Sequence, residues 1–236
     1  MNKQEFVQKM EEISIPVSEK QLGQFDQYAA LLKEWNEKMN LTAITEDSEI
    51  WEKHFYDSVR PFAGQKFDSL ADVGSGAGFP GIPLAILYPD RKFTLVEPLG
   101  KRCRFLEEVV RRLGLHNVEI VNARAEDFAR ERRESFDAVS ARAVARLSIL
   151  LELCIPLLKT GGTFIALKGR NGREELEQAK PAIRELKVHL DHQEEFLLDN
   201  DEADRIIFYF VKDQKTPAKY PRNFGIIKKK PLEESR

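Results

Sequence analysis

The chain has 236 residues, 42% of them hydrophobic, and a net charge of −2, enough apolar material for one full core and a modest extension. No apolar run reaches the roughly 20 residues of a membrane helix, and the charged N-terminal stretch is unlike a signal peptide, so a soluble cytoplasmic protein is expected. Cys103 and Cys154 sit singly in apolar helical patterns and read as reduced core thiols, while His54, His116, His189 and His192 lack zinc-like spacing, offer no metal site and read mostly as surface or packing residues.

Two amphipathic patterns open the chain, over 4–13 and 18–39. In the second, Ser18 is placed as N-cap and Leu22, Phe25, Tyr28, Ala29 and Leu32 follow at three- and four-residue steps. A bend at NLTAIT (40–45) precedes a third helix over 48–59 containing HFYDS. This head is too small for a core of its own and should pack on the remainder of the chain.

An apolar run through Leu70, Ala71 and Val73 then stops in Gly74, Gly76 and Gly78, and a helix opens at Phe79 with Pro80 and Pro83 in its first turn. That is a strand, a glycine turn and a helix start. The three glycines remove side chains that would hold a ligand off the backbone and allow the positive φ of such a turn. The spacing departs from a dinucleotide fingerprint, because the sixth position is Phe79 and the third glycine comes one residue early; a phosphate-cradling P-loop is excluded outright. Asp72 is expected to place a carboxylate at the mouth of the turn, repelling a pyrophosphate but attracting the ammonium of an amino-acid-like ligand. S-Adenosylmethionine fits that charge pattern. Glu97 ends the next strand, where a carboxylate can accept hydrogen bonds from both ribose hydroxyls.

From there strand and helix alternate, which predicts a parallel sheet flanked by helices. Strands are expected near 69–73, 93–97, 118–122, 136–141, 163–168, 188–197 and 205–211, with helices near 80–88, 99–113, 125–132, 144–158 and 173–186. No helix is expected between the last two strands, so an antiparallel hairpin should close one edge. Seven strands ending this way are the methyltransferase variant of the doubly wound fold. The ends differ in charge: residues 1–57 carry six basic and twelve acidic side chains, residues 212–236 eight and three. The basic end reads equally as a polyanion-binding arm or as a solvated tail that adds nothing to the core.

Eight ordered motifs now stand together: WNEKMNLTAIT (35–45), HFYDS (54–58), DVGSGAGFPGIPLAI (72–86), LGKRCRFLEEV (99–109), ARAEDF (123–128), SARAVARL (140–147), ALKG (166–169) and KTPAKYPR (215–222). In this set the chain resembles, over nearly its whole length, the bacterial small-subunit ribosomal RNA guanine-N7 methyltransferases, also called glucose-inhibited division protein B. The resemblance implies an α/β, Rossmann-like class I fold with a seven-stranded, mostly parallel sheet and an N-terminal helical extension. It implies S-adenosylmethionine as cofactor and, as substrate, one guanine of the 530 loop of 16S RNA, in naked RNA, a 30S subunit or an assembly intermediate. It assigns Gly74, Phe79, Ala125, Glu126 and Arg142 to the cofactor, beside Gly76, Gly78 and Glu97. Arg142 follows the fourth strand, where chemistry also permits contact with a guanine O6 or an RNA phosphate. One departure is that NFGIIKKKP (223–231) replaces the family's basic Pro-Gly turn.

N7 of guanine carries a lone pair and no proton, so its methylation needs no general base and no catalytic residue is assigned; rate would come from alignment. Phe79 is placed near the sulfonium end. Lys101, Arg102, Arg146 and Lys168 are the candidates for RNA contact. The expected divisions are a helical extension (1–62), a methyltransferase domain (63–212) and a basic arm (213–236), in a monomer. A small-molecule methyltransferase is the alternative, and it would require a closed apolar substrate pocket and no salt-sensitive RNA affinity. A non-enzymatic nucleic-acid-binding protein is opposed by the intact glycine, Glu97 and Arg142 set.

Overall fold

The computed structural model describes residues 1–142, 145–198 and 201–234. Two capping boxes start the head: Asn2 with Glu5 opens α1 (Lys3–Glu12) and Ser18 with Gln21 opens α2 (Glu19–Met39). Asn40, in the left-handed conformation at φ 48°, ends α2. The next helical run is continuous but changes winding, from α3 (Asp47–Glu49) through a π-helical stretch (Ile50–Tyr56) and α4 (Asp57–Val59) to a 3-10 turn (Arg60–Phe62). Wider winding re-aims side chains relative to an α-helix and is frequent at functional sites. Here His54 and Asp57 both come to line cavities at the sheet edge.

Seven strands follow: β1 (Ser69–Val73), β2 (Lys92–Val96), β3 (Val118–Val121), β4 (Phe136–Arg142), β5 (Leu158–Lys168), β6 (Val188–Leu198) and β7 (Asp201–Lys212). Between and after them lie α5 (Gly81–Leu87), α6 (Gly100–Leu113), α7 (Ala125–Glu131), α8 (Leu147–Cys154), α9 (Gly172–Gln178), α10 (Lys180–Leu186) and α11 (Phe224–Lys229). The sheet order is β3-β2-β1-β4-β5-β7-β6, parallel except for β7, which runs antiparallel to both β5 and β6. The order reverses between β1 and β4, and the crevice outside the carboxyl ends of those strands is where open α/β sheets bind ligands.

The head is part of the core. Phe6, Phe25, Trp51 and Phe55 form one aromatic cluster with ring centroids 4.9–6.1 Å apart, and Tyr28 carries it onto the glycine turn through its ring contact with Phe79 and its hydroxyl on the Ala77 carbonyl. The other face of the sheet is covered by α7, α8 and α10.

Several expectations are corrected. The helix expected over 173–186 is two helices that break at Ala179, because Pro181 has no N–H to continue the first helix and instead sits in the first turn of the second. The helix expected from 144 shortens to α8 and a 3-10 turn at Pro156; its predicted start, Val144, lies outside the described residues. β5 begins five residues early because Gly161 and Gly162 belong to the strand, and a Cβ at Gly162 would lie 2.8 Å from the Asp137 carbonyl. The tail after Lys212 joins the core: Tyr220 and Ile227 are buried against the α8 side. Arg133 donates to the carbonyls of Thr216, Pro217 and Tyr220, and the buried Glu152 carboxylate accepts from the backbone N–H and guanidinium of Arg222. Basic residues in this tail are tethers as well as charges, which composition alone does not reveal.

Candidate active site

The glycine turn is tied to β2, with Gly74 and Ser75 N–H both donating to the Val96 carbonyl. Gly74, Gly76 and Gly78 all have positive φ, but they do different work. A Cβ on Gly76 would meet nothing closer than 3.9 Å, so the turn is open on that side; a Cβ on Gly78 would lie 2.7 Å from Ile82, 2.8 Å from the Tyr28 hydroxyl and 3.0 Å from Leu106. Gly74 and Gly76 line a cavity of about 560 Å³ and Gly78 does not. Its missing side chain makes room for Tyr28 of the head, Ile82 of α5 and Leu106 of α6.

Asp72 is also corrected. It is fully buried, does not line this cavity, and accepts at 3.1 Å from both the Gly81 N–H at the start of α5 and the Ser140 hydroxyl on β4. Desolvation lifts its carboxyl from 3.8 to about 6, against the opposing hydrogen bonds from Gly81 and Ser140. Its role is to lock the turn to two elements.

Glu97, unlike Asp72, does line the cavity. It accepts from Gly76 N–H at 3.0 Å and Leu99 N–H at 2.9 Å, and its carbonyl accepts from Asn122 at 2.9 Å and the Cys103 thiol at 3.2 Å. An ionised carboxylate has about four acceptor sites, so both ribose hydroxyls of a nucleoside can still be received. Ala125 and Glu126 at the start of α7 form another wall, with the Glu126 side chain largely buried. Together with the open turn at Gly76, this donor and acceptor set fits an adenosyl ligand carrying a methionine tail.

Arg142 closes the third side. Its guanidinium lies 5.1 Å from the Phe79 ring centroid, 3.7 Å from Asp57 and 3.3 Å from the Ser58 hydroxyl. Burial pulls it below its ordinary value, with Asp57 and Asp72 opposing; a guanidinium stays charged regardless.

Residues from the head and tail that sequence reasoning missed complete the cavity: Thr42, His54 and Phe224. The His54 ring stacks on Phe79 at 4.3 Å and 12°, with Nε2 2.8 Å from the Thr42 hydroxyl. Its buried Nδ1 has no hydrogen-bond partner among the described residues. Burial first, and then Arg142, push its pKa from 6.5 down to about 3, so the ring is neutral. NLTAIT and HFYDS were visible as motifs, but their convergence on the glycine turn is not a property of local sequence.

The basic candidates separate. Lys101 is exposed at the start of α6, and Arg102 lines the first cavity with a guanidinium nitrogen 3.9 Å from Glu97. Arg146 pairs with Glu233 of the tail at 3.1 Å. Lys168 is mostly buried, 2.7 Å from Glu175 and 2.8 Å from the Ala145 carbonyl.

This sheet order, with a glycine turn after β1 and a carboxylate ending β2, defines a class I S-adenosylmethionine-dependent methyltransferase. Solved structures share the fold: the TYW2 protein of M. jannaschii in complex with AdoMet superposes at a TM-score of 0.52 with 18% identity, over 64% of this chain and 72% of that one. TrmN from Thermus thermophilus gives 0.52 and 19%, over 66% and 47%. The chain belongs to the family of rRNA small subunit methyltransferase G, whose model matches residues 21–202. Ribosomal RNA small subunit methyltransferase G of Lysinibacillus sphaericus is 48% identical across 99% of this chain and all of that one, and its Staphylococcus aureus counterpart is 48% identical across 96% and 97%. The protein is therefore an S-adenosylmethionine-dependent rRNA methyltransferase. Among the described residues, no helix is long and apolar enough to cross a membrane.

Proposed function

We propose that the protein methylates N7 of one guanine in the 530 loop of 16S RNA, acting as a cytoplasmic monomer. The observation that carries the site assignment is the buried Glu97 carboxylate, held by Gly76 and Leu99 N–H groups and still able to accept from a ribose. S-Adenosylmethionine supplies an electrophilic methyl group on a sulfonium sulfur. Gly74 and Gly76 let its methionine part approach the backbone, and Ala125 and Glu126 flank the adenine. Phe79, stacked on His54, and Arg142 above its ring close the reactive end.

N7 brings its own electron pair and no proton leaves, so the residues need only align the reacting atoms and exclude water. The neutral His54 ring suits an apolar wall beside a sulfonium better than an imidazolium would. In this reading the head (1–62) roofs the cavity, the domain 63–212 carries the chemistry, and the arm (213–236) contributes Phe224. Lys101, Arg102 and Arg146 border the face that meets RNA phosphates, whereas the mostly buried Lys168 is held by Glu175.

The test is methyl transfer from labelled S-adenosylmethionine to 30S subunits and to 16S RNA, both lacking the modification, with the product nucleoside identified. The expected product is 7-methylguanosine at one site, lost on Arg142→Ala with the fold intact. Cofactor binding without transfer to either substrate would refute the ribosomal reading.

A further inference from the structure

A second cavity, of about 600 Å³, adjoins the first, and among the described residues Arg142 is the one that lines both. It lies at the carboxyl ends of β4 and β5, walled by the turn from Lys168 to Asn171, by Arg205 of β7 and by Asp57 of α4. Asp57 is 5% exposed. Its Oδ2 accepts from Arg205 Nε at 3.0 Å and lies 3.7 Å from Arg142 Nη1, while its buried Oδ1 has no hydrogen-bond partner among the described residues. Buried polar atoms are almost always satisfied in a native protein, and each exception calls for a reason. Two guanidinium groups face this carboxylate, which lines the cavity, yet its enclosed Oδ1 is left unused.

Such a site wants a planar donor edge flanked by an acceptor. Guanine offers N1–H and the N2 amino group side by side, with O6 next in order around the ring. Adenine and cytosine place a bare ring nitrogen where guanine has N1–H, and uracil has a single N–H between two carbonyls. We infer that the second cavity takes the target guanine, with N1–H and the N2 amino group on the Asp57 carboxylate and O6 on the Arg142 guanidinium, and that Asp57 sets the base specificity. N7 is the neighbour of O6 on the edge away from N1, so a base held this way turns N7 past Arg142 toward the first cavity. The assignment rests on the methyl-transfer reading above and adds which residues choose the base. Methylation makes the ring cationic and its N1–H a stronger donor. The Asp57 carboxylate therefore binds the developing charge better than the neutral base, which is the difference that accelerates a reaction.

Inosine differs from guanosine only in lacking the N2 amino group. The test uses 30S subunits reconstituted with 16S RNA carrying guanosine or inosine at the methylated position, assayed with wild type and Asp57→Asn. Wild type should lose about tenfold or more in kcat/KM on inosine, the cost of one charge-assisted hydrogen bond. Asp57→Asn should fall comparably on guanosine, no longer separate the two substrates, and bind S-adenosylmethionine as wild type does by calorimetry. Equal wild-type rates on inosine and guanosine overturn the assignment while leaving the methyltransferase reading intact, and they need no variant to fold. An Asp57→Asn enzyme that keeps the full guanosine preference overturns it as well. Absence of transfer by wild type to the guanosine substrate would remove the methyl-transfer reading and this assignment together.

Discussion

Asp72→Asn should stabilise the protein at neutral pH. The carboxyl is fully buried and its pKa rises from 3.8 to about 6 because desolvation outweighs its two hydrogen bonds. A rise of about two pH units corresponds to about 3 kcal/mol of differential stability. Because the folded value lies above the unfolded one, the contribution is fully present below the unfolded value of 3.8 and is lost as pH rises through about 6. Asparagine keeps the geometry without the charge: its carbonyl can accept from Gly81 N–H and its amide can donate to the Ser140 hydroxyl. The stability of the variant minus that of wild type should therefore grow by about 3 kcal/mol from about pH 4 to about pH 7. Urea unfolding of both proteins across that range measures it, with all other titrating groups cancelling in the difference. A difference that stays flat, or shrinks as pH rises, would refute the claim that burial dominates at Asp72.

The two glycines should respond differently to alanine. Gly78→Ala, whose Cβ would meet Ile82, Tyr28 and Leu106 at 2.7–3.0 Å, should cost about 2–4 kcal/mol in urea unfolding. Gly76→Ala should instead mainly weaken S-adenosylmethionine binding by calorimetry, and the reverse pattern would restore Gly78 to the ligand. His54 should stay neutral through the working range, since its pKa falls from 6.5 to about 3. Its ring resonances should be flat from about pH 5 to about pH 8, with stability lost only as pH falls from 6.5 toward 3; an NMR midpoint near the unperturbed value would contradict the burial. Glu152→Gln should weaken the pair with the partly exposed Arg222, cost about 1.5–3 kcal/mol and expose the tail to trypsin near Lys219 and Arg222. Unchanged cleavage would show that the tail is held by its apolar contacts alone.

Much of the fold could be read from the chain because its signals are local. Ser18 marks a helix start by its own hydroxyl, alternation of strand and helix calls for parallel crossovers, and a missing helix before the last strand forces a hairpin. Glu97 could be placed for the same reason, since the end of a short strand after a glycine turn has one position in this topology. Local signals say least where one residue serves a distant one. Asp72 and Gly78 look like ligand contacts along the sequence, yet the carboxylate reaches Gly81 and Ser140 and the glycine gives way to Tyr28 of α2.

Periodicity, turn chemistry and motif order thus determined the α/β class, the glycine turn, Glu97 and the family by themselves, because each depends on residues a few positions apart. Only the tertiary structure decided that His54 and Thr42 roof the first cavity, that Asp57 sits with Arg142 and Arg205 at the second, and that the basic tail is pinned by Glu152. Those contacts join segments separated by tens of residues, and they are chosen by which buried charges and polar atoms find one another once the core has closed.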